Sequence, residues 1–279
     1  MRKYLILISG LLILLASACS HRTPAKGEYE QELSFEKFVD PPVAHRSHVF
    51  YSLNDRLEPE ELKRQIHDFK AAGLGGYYLH SRVGLLTEYL GDDWWTAMDA
   101  AVDAALETGL QAYFYDEDRW PSGYAGGLIP LMDEAYRARS LARLELETPL
   151  PPGAVELTRD EDYKYVEYAA ELGVPGFNGT SFVDLMNPDA VAAFIAVTHE
   201  EYVQRYLDKL PYSFAFFSDE PHIHARYFHS GTPHKGLRSY SPFVRERFLK
   251  DFGYDIVDKV ALLFEEKGNW REVRLQYQQ

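Results

Sequence analysis

Cysteine is nearly missing from this chain: Cys19 is the only one in 279 residues. An internal disulfide is therefore excluded, as is a cysteine-ligated zinc site. Clusters of positive charge are missing too. Lysine and arginine total 29 against 43 acids, a formal net charge of −14. Such a surface argues against nucleic acid and against anionic polymers as partners. The apolar run Tyr4 to Leu15 is too short to span a bilayer comfortably. A phosphate loop is also lacking, because Gly73-Leu-Gly-Gly76 has no following Lys-Ser/Thr and closes a helix instead of opening one. What the chain does have is apolar and aromatic. Hydrophobic residues make up 46%, with 20 Tyr, 16 Phe and 4 Trp. That content suits a sizeable core, a surface that stacks on sugar rings, or both.

The first residues read as a targeting segment. Arg2 and Lys3 precede the apolar run, and Ala16-Ser17-Ala18-Cys19 follows it. Small residues placed directly before a cysteine resemble the bacterial lipoprotein signal, with Ala16 standing where leucine is commoner. The resemblance implies cleavage before Cys19, lipid on its thiol and new amino group, and anchoring to the bacterial cell envelope. The expected organisation is a signal peptide at 1–18, a polar tether at 19–40 and one domain at 41–279.

Within that domain, strands and helices alternate. His48–Leu53 reads as a strand, and Pro59–Ala72 as a helix with Leu62, Ile66 and Phe69 on its buried face. Gly75–Ser81 is the second strand. A helix starts near Asp92 or Asp93, buries Trp94, Met98, Val102 and Ala105, and stops at Gly109. Leu110–Tyr115 is the third strand. Leu128–Arg139 looks helical, and residues 140–183 form a β-rich insertion. A helix returns at Asn187-Pro188, with Val191, Phe194, Ile195, Thr198, Tyr202 and Tyr206 on its inner face. Ser213–Phe217 is the fourth strand, and a helix runs from Ser241-Pro242 to Gly253. The expected fold is α/β: a partial (β/α)8 barrel of about four β/α units, interrupted after strand 3. Four strands cannot close a barrel, so an open edge, an uncovered face and poor solubility are expected.

Chemistry concentrates where strands end, the rim on which α/β barrels build their sites. Strand 3 delivers Asp116, Glu117 and Asp118, then Arg119, Trp120 and the turn Pro121-Ser-Gly-Tyr-Ala-Gly-Gly127. Strand 4 delivers Asp219 and Glu220, and strand 2 delivers His80 and Arg82. Two carboxyl groups flanking a bond are what glycoside hydrolysis requires, one as acid and one as nucleophile or base. Glu220 is the candidate acid, because its strand is apolar enough for burial. Asp116 or Glu117 is the candidate partner. Successive strand side chains alternate, so Glu117 is expected to face away from Asp116 and Asp118, with one acid pairing with Arg119 or Arg82. Trp120 is a stacking surface or a lid. His80 is a hydroxyl ligand or a satisfied core residue. Asp116, Asp118 and Asp219 are an oxygen-rich set for Ca2+. His222, His224, His229 and His234 lack the usual spacing of a zinc site.

The segments Gly75–Leu90, Trp94-Trp95 and Tyr115–Gly127 resemble the N-terminal catalytic region of bacterial glycoside hydrolases related to the family 106 α-L-rhamnosidases. Asp184–Pro188 and Phe217–Pro221 extend the likeness to about residue 255. The resemblance implies a (β/α)8 barrel acting on polysaccharide or oligosaccharide, an acid/base at Glu220, and a calcium requirement. In the broader barrel glycosidases, whose strand-4 acid/base Glu220 matches, the partner carboxylate sits near a seventh strand that has no counterpart here. Three readings follow: a truncated N-terminal half of a glycoside hydrolase, a surface glycan-binding lipoprotein without turnover, and a carboxylate lyase or metal-assisted hydrolase using Asp116, Asp118 and Asp219.

Overall fold

The computed structural model describes residues 34–210, 213–223 and 236–279. The signal peptide, Cys19, most of the tether, and His224, His229 and His234 lie outside the described residues. Two compact units divide the chain at Pro42. In the first, the end of the expected tether is a helical turn, Phe35–Val39, capped where Ser34 accepts from the Lys37 N–H.

The second unit, Val43–Gln279, holds two sheets. The parallel sheet contains β1 (His48–Asp55), β2 (Gly76–Leu85), β3 (Gln111–Tyr115) and the two-residue β7 (Phe216–Phe217), in that spatial order. Helices α1 (Pro59–Ala71) and α2 (Asp92–Thr108) connect the first three strands. Proline at the first position of α1 and Glu60–Glu61 in its first turn suit the positive end of a helix. Gly109, at φ 69°, ends α2 in the left-handed conformation that glycine adopts freely. The stripe Trp94, Met98, Val102 and Ala105 is buried as its spacing predicts. It meets Tyr51, Leu53, Tyr77, Leu79 and Phe114 from one face of the sheet. Each large side chain buried there contributes about 1.5–3 kcal/mol.

The segment after β3 departs from the expected helix over Leu128–Arg139. Only α3 (Leu128–Met132) and a 3-10 turn (Glu134–Tyr136) form, and Arg139 already opens a strand. The insertion is β-rich as expected: β4 (Arg139–Glu145), β5 (Val155–Arg159) and β6 (Tyr163–Ala169) form an antiparallel sheet. That sheet gains β8 (Arg238–Tyr240), paired to β4 from nearly a hundred residues away. The closing helices α6 (Pro242–Phe252), α7 (Ala261–Phe264) and α8 (Trp270–Gln278) follow. Phe248, Leu263 and Val273 pack on Leu141, Tyr165 and Tyr240 of this sheet. The last forty residues therefore complete a second sheet-and-helix core and do not continue the β/α alternation.

The returning helix is α4 (Pro188–Ile195), a π-turn (Ala196–Glu200) and α5 (Glu201–Tyr206). Asn187 caps it, accepting from the N–H groups of Asp189 and Ala190. Phe194, Thr198, Tyr202 and Tyr206 face inward at i+4 spacing, whereas Ile195, about 100° around the helix from Phe194, is exposed. Strand 4 is shorter than expected, and Phe214, Phe216 and Phe217 are half-buried while Ala215 is exposed. The molecule is thus α/β with a four-stranded parallel sheet, and no closed barrel forms among the described residues.

The other face of the parallel sheet is aromatic and partly open. Phe50 pairs in register with Tyr78, and Tyr78 with Tyr113. The Tyr78 and Tyr113 rings stack at 4.9 Å. Phe217 meets Phe50 edge-on at 5.7 Å, and Phe50 is 43% exposed.

Candidate active site

The carboxyl ends of β2, β3 and β7 bring Asp116, Asp219, His80 and Trp120 into one neighbourhood, because parallel strands in register deliver their ends to the same rim. The three successive acids of β3 then part company, each with its own set of partners.

Glu117 is 0% exposed. Its Oε2 accepts from the backbone N–H groups of Gly123, Tyr124 and Ala125 at 3.0, 2.9 and 2.8 Å. Its Oε1 accepts from Asp118 N–H at 2.9 Å and Gly126 N–H at 2.5 Å. Burial pushes this carboxyl above its ordinary range, and the backbone donors pull against that. Every direction around the two oxygens that these contacts define carries an N–H, so the nest is shaped for the ionised form. The Pro-Ser-Gly-x-Ala-Gly-Gly turn is therefore an anion nest closed on the chain's own glutamate. Its glycines follow from that geometry. Gly126 sits at φ 64° and Gly127 at φ 108°, and a Cβ on Gly127 would lie 2.6 Å from Thr180 Oγ1. Both oxygens of Glu117, expected as a catalytic carboxylate, are occupied by the N–H groups of this loop.

Asp116, the other candidate partner, is also buried. Ser122 donates Oγ–H to Asp116 Oδ1 at 2.6 Å and accepts the Asp219 N–H at 2.9 Å. The Ser122 N–H returns to the Asp219 carbonyl at 2.9 Å. His199 Nε2 stands 3.4 Å from Asp116 Oδ2, placed there by the π-turn. Asp118 belongs elsewhere, held by Asn178 Nδ2 at 2.5 Å and by Arg119 Nε at 3.4 Å. Since Asp118 has partners distinct from those of Asp116 and Asp219, the expected Ca2+ set does not converge. No group of three metal-ligating side chains forms among the described residues.

His80 is 0% exposed, stacked on Tyr115 at 3.7 Å and against Phe50 at 4.0 Å. Nδ1 lies 2.9 Å from the Ser81 carbonyl, which can only accept, so Nδ1 carries the proton. Nε2 presents a lone pair, makes no hydrogen bond, and lies 3.8 Å from Asp219 Oδ2. Burial, followed by the charge of Arg82, pushes the imidazole down to about 4. Asp219 moves the other way, raised by burial and then by the negative charge of Glu220. Their surroundings thus push the imidazole and the carboxyl in opposite directions, His80 down and Asp219 up.

Glu220 is exposed, against the burial expected from its strand. Its Oε2 accepts the Trp120 indole N–H at 3.1 Å. Its backbone sits at φ 39°, a left-handed conformation costing a non-glycine residue about 1 kcal/mol or more. Trp120 is 40% exposed and borders a cavity of about 640 Å3 whose walls include Arg82, Arg119, Phe177 and His222. Ser122, His199 and Asn178 escaped sequence reasoning. Ser122 lay inside the quoted glycine motif, whereas His199 and Asn178 carried no local signal, since their partners are 83 and 60 residues away.

No family model matches the chain, and neither a curated protein nor a solved structure does. No helix among the described residues is long and apolar enough to cross a membrane.

Proposed function

We propose that this chain carries the sugar-binding and proton-donating side of a glycoside hydrolase site, on a parallel sheet corresponding to the first strands of a (β/α)8 barrel. The observation that carries the reading is the run Asp219-Glu220 at the end of β7. One carboxyl is raised and faces the neutral imidazole of His80, and the other is tied to an exposed indole at the mouth of a cavity. In this reading Asp219 protonates the leaving glycosidic oxygen. Glu220 faces the sugar, accepting from a hydroxyl or supporting positive charge that develops at the anomeric carbon. Trp120 offers its ring as a stacking surface. Asp116 and Ser122 fix the backbone of Asp219, and Glu117 fixes the loop that presents Trp120. The lipoprotein-like signal ending at Cys19 supports placing this site at the bacterial cell envelope.

The test is turnover of rhamnose- and galactose-containing oligosaccharides by the full-length chain, compared with Asp219→Asn and Glu220→Gln. Removing a positioned proton donor costs about a hundredfold or more. Unchanged turnover in both variants would remove this pair from the mechanism.

One observation favours a second reading, glycan binding without hydrolysis. The glutamate best placed by sequence to be the partner carboxylate, Glu117, is spent on five backbone N–H groups. Measurable glycan affinity with no reducing ends released would select it.

A further inference from the structure

The cavity beside Trp120 has a charge that the chain as a whole does not. The protein carries −14, yet Arg82 and Arg119 both line this cavity and no carboxylate does among the described residues, Glu220 meeting its wall through the Trp120 indole. Arg82 is exposed, its guanidinium lies 5.8 Å from the Phe50 ring, and it forms no ion pair among the described residues. Arg119 is half-buried. Its Nε faces Asp118 at 3.4 Å without a hydrogen bond. Guanidinium forks match carboxylates in a planar, two-pronged geometry. Trp120 and Phe177 supply apolar wall to the same cavity.

We propose that this cleft selects an acidic saccharide, with the carboxylate of a uronic acid unit held by Arg82 and Arg119 and its ring against Trp120. The inference rests on the carbohydrate reading above and names its substrate class. It also revises the expectation from net charge. At physiological salt the Debye length is about 8 Å, so charges elsewhere on the surface are largely screened and the two arginines dominate the local field. A low-dielectric wall of tryptophan, phenylalanine and proline focuses that field.

The experiment is direct binding of tetragalacturonate and tetramannuronate, each against its fully methyl-esterified form, which keeps the ring and loses the charge. We expect one acid form to bind about tenfold tighter than its ester, the preference shrinking as salt rises. Arg82→Gln should remove the preference without weakening ester binding, and Arg82→Lys should retain part of it. Because Arg82 is exposed and unpaired among the described residues, its variants keep the fold, checked by an unchanged melting temperature; Arg119→Gln is read beside it. Equal binding of acid and ester overturns this inference while leaving the sugar reading intact. A preference that survives Arg82→Gln and Arg119→Gln overturns the assignment to these residues. Binding of neither form overturns both readings.

Discussion

The indole N–H of Trp120 donates to Glu220 across 3.1 Å, joining the loop after β3 to the end of β7. A hundred residues separate the two in sequence, and one contact makes the stacking surface and the exposed carboxylate a single unit. Trp120→Phe keeps an aromatic wall and deletes the donor, whereas Trp120→Ala deletes both. The alanine variant is expected to weaken saccharide binding roughly tenfold, and the phenylalanine variant less. Titration calorimetry on both separates the ring from the hydrogen bond. Equal, undiminished binding by both would show that the sugar does not touch this residue.

Glu117 makes a different prediction, about stability. Glu117→Gln replaces one acceptor oxygen with an amide that points N–H at N–H inside the nest. Loss of hydrogen bonds to a buried charge is expected to cost about 2–4 kcal/mol. Urea unfolding reads this directly. A variant as stable as the parent would mean that the loop holds its shape without the carboxylate.

His80 gives the stability a pH dependence. Its folded-state value is pushed down to about 4, below the ordinary 6.5, chiefly by burial. Between those values the unfolded chain binds the proton and the folded chain does not. This contribution is therefore fully present above about pH 6.5 and is lost as the pH falls toward about 4, on the order of 2 kcal/mol. His80→Asn should flatten that part of the profile. Denaturant melts of both proteins across the range are the check, and parallel profiles would exclude His80 as the source.

The aromatic face of the parallel sheet predicts association. Phe50 is exposed beside half-buried Tyr78, Tyr113 and Phe217, on an edge strand whose outer side pairs with no described strand. The chain lacking residues 1–18 is expected to be poorly soluble and to elute as higher-order species. Phe50→Lys should raise the monomer fraction. A monodisperse, sharply melting parent would contradict the expectation.

The elements legible in the sequence are those with local causes. Helices α1 and α2 announced themselves through apolar spacing and through proline or acids in the first turn, although Gly91 and not Asp92 or Asp93 is the N-cap of α2 and neither helix has a side-chain N-cap; β1 to β3 showed as apolar runs. The helix expected over Leu128–Arg139 stops at Met132, and Arg139 already belongs to a strand stabilised by pairing with β6 and β8, partners that no local window contains. The fourth strand was shorter and more exposed than its four aromatic and small apolar residues suggested. Its only partner is β3, which leaves its outer side uncovered among the described residues.

The amino-acid sequence by itself determined that acids, an arginine and a tryptophan would collect at strand ends, since alternation and turn chemistry act over a few residues. Only the tertiary structure decided what each acid does. The chain folds its glycine turn back over Glu117, hands Asp116 to Ser122 and His199, and leaves Asp219 facing His80 and Glu220 on the Trp120 indole. Hydrogen bonding and desolvation depend on which atoms meet in space, and those partners come from segments far apart along the chain.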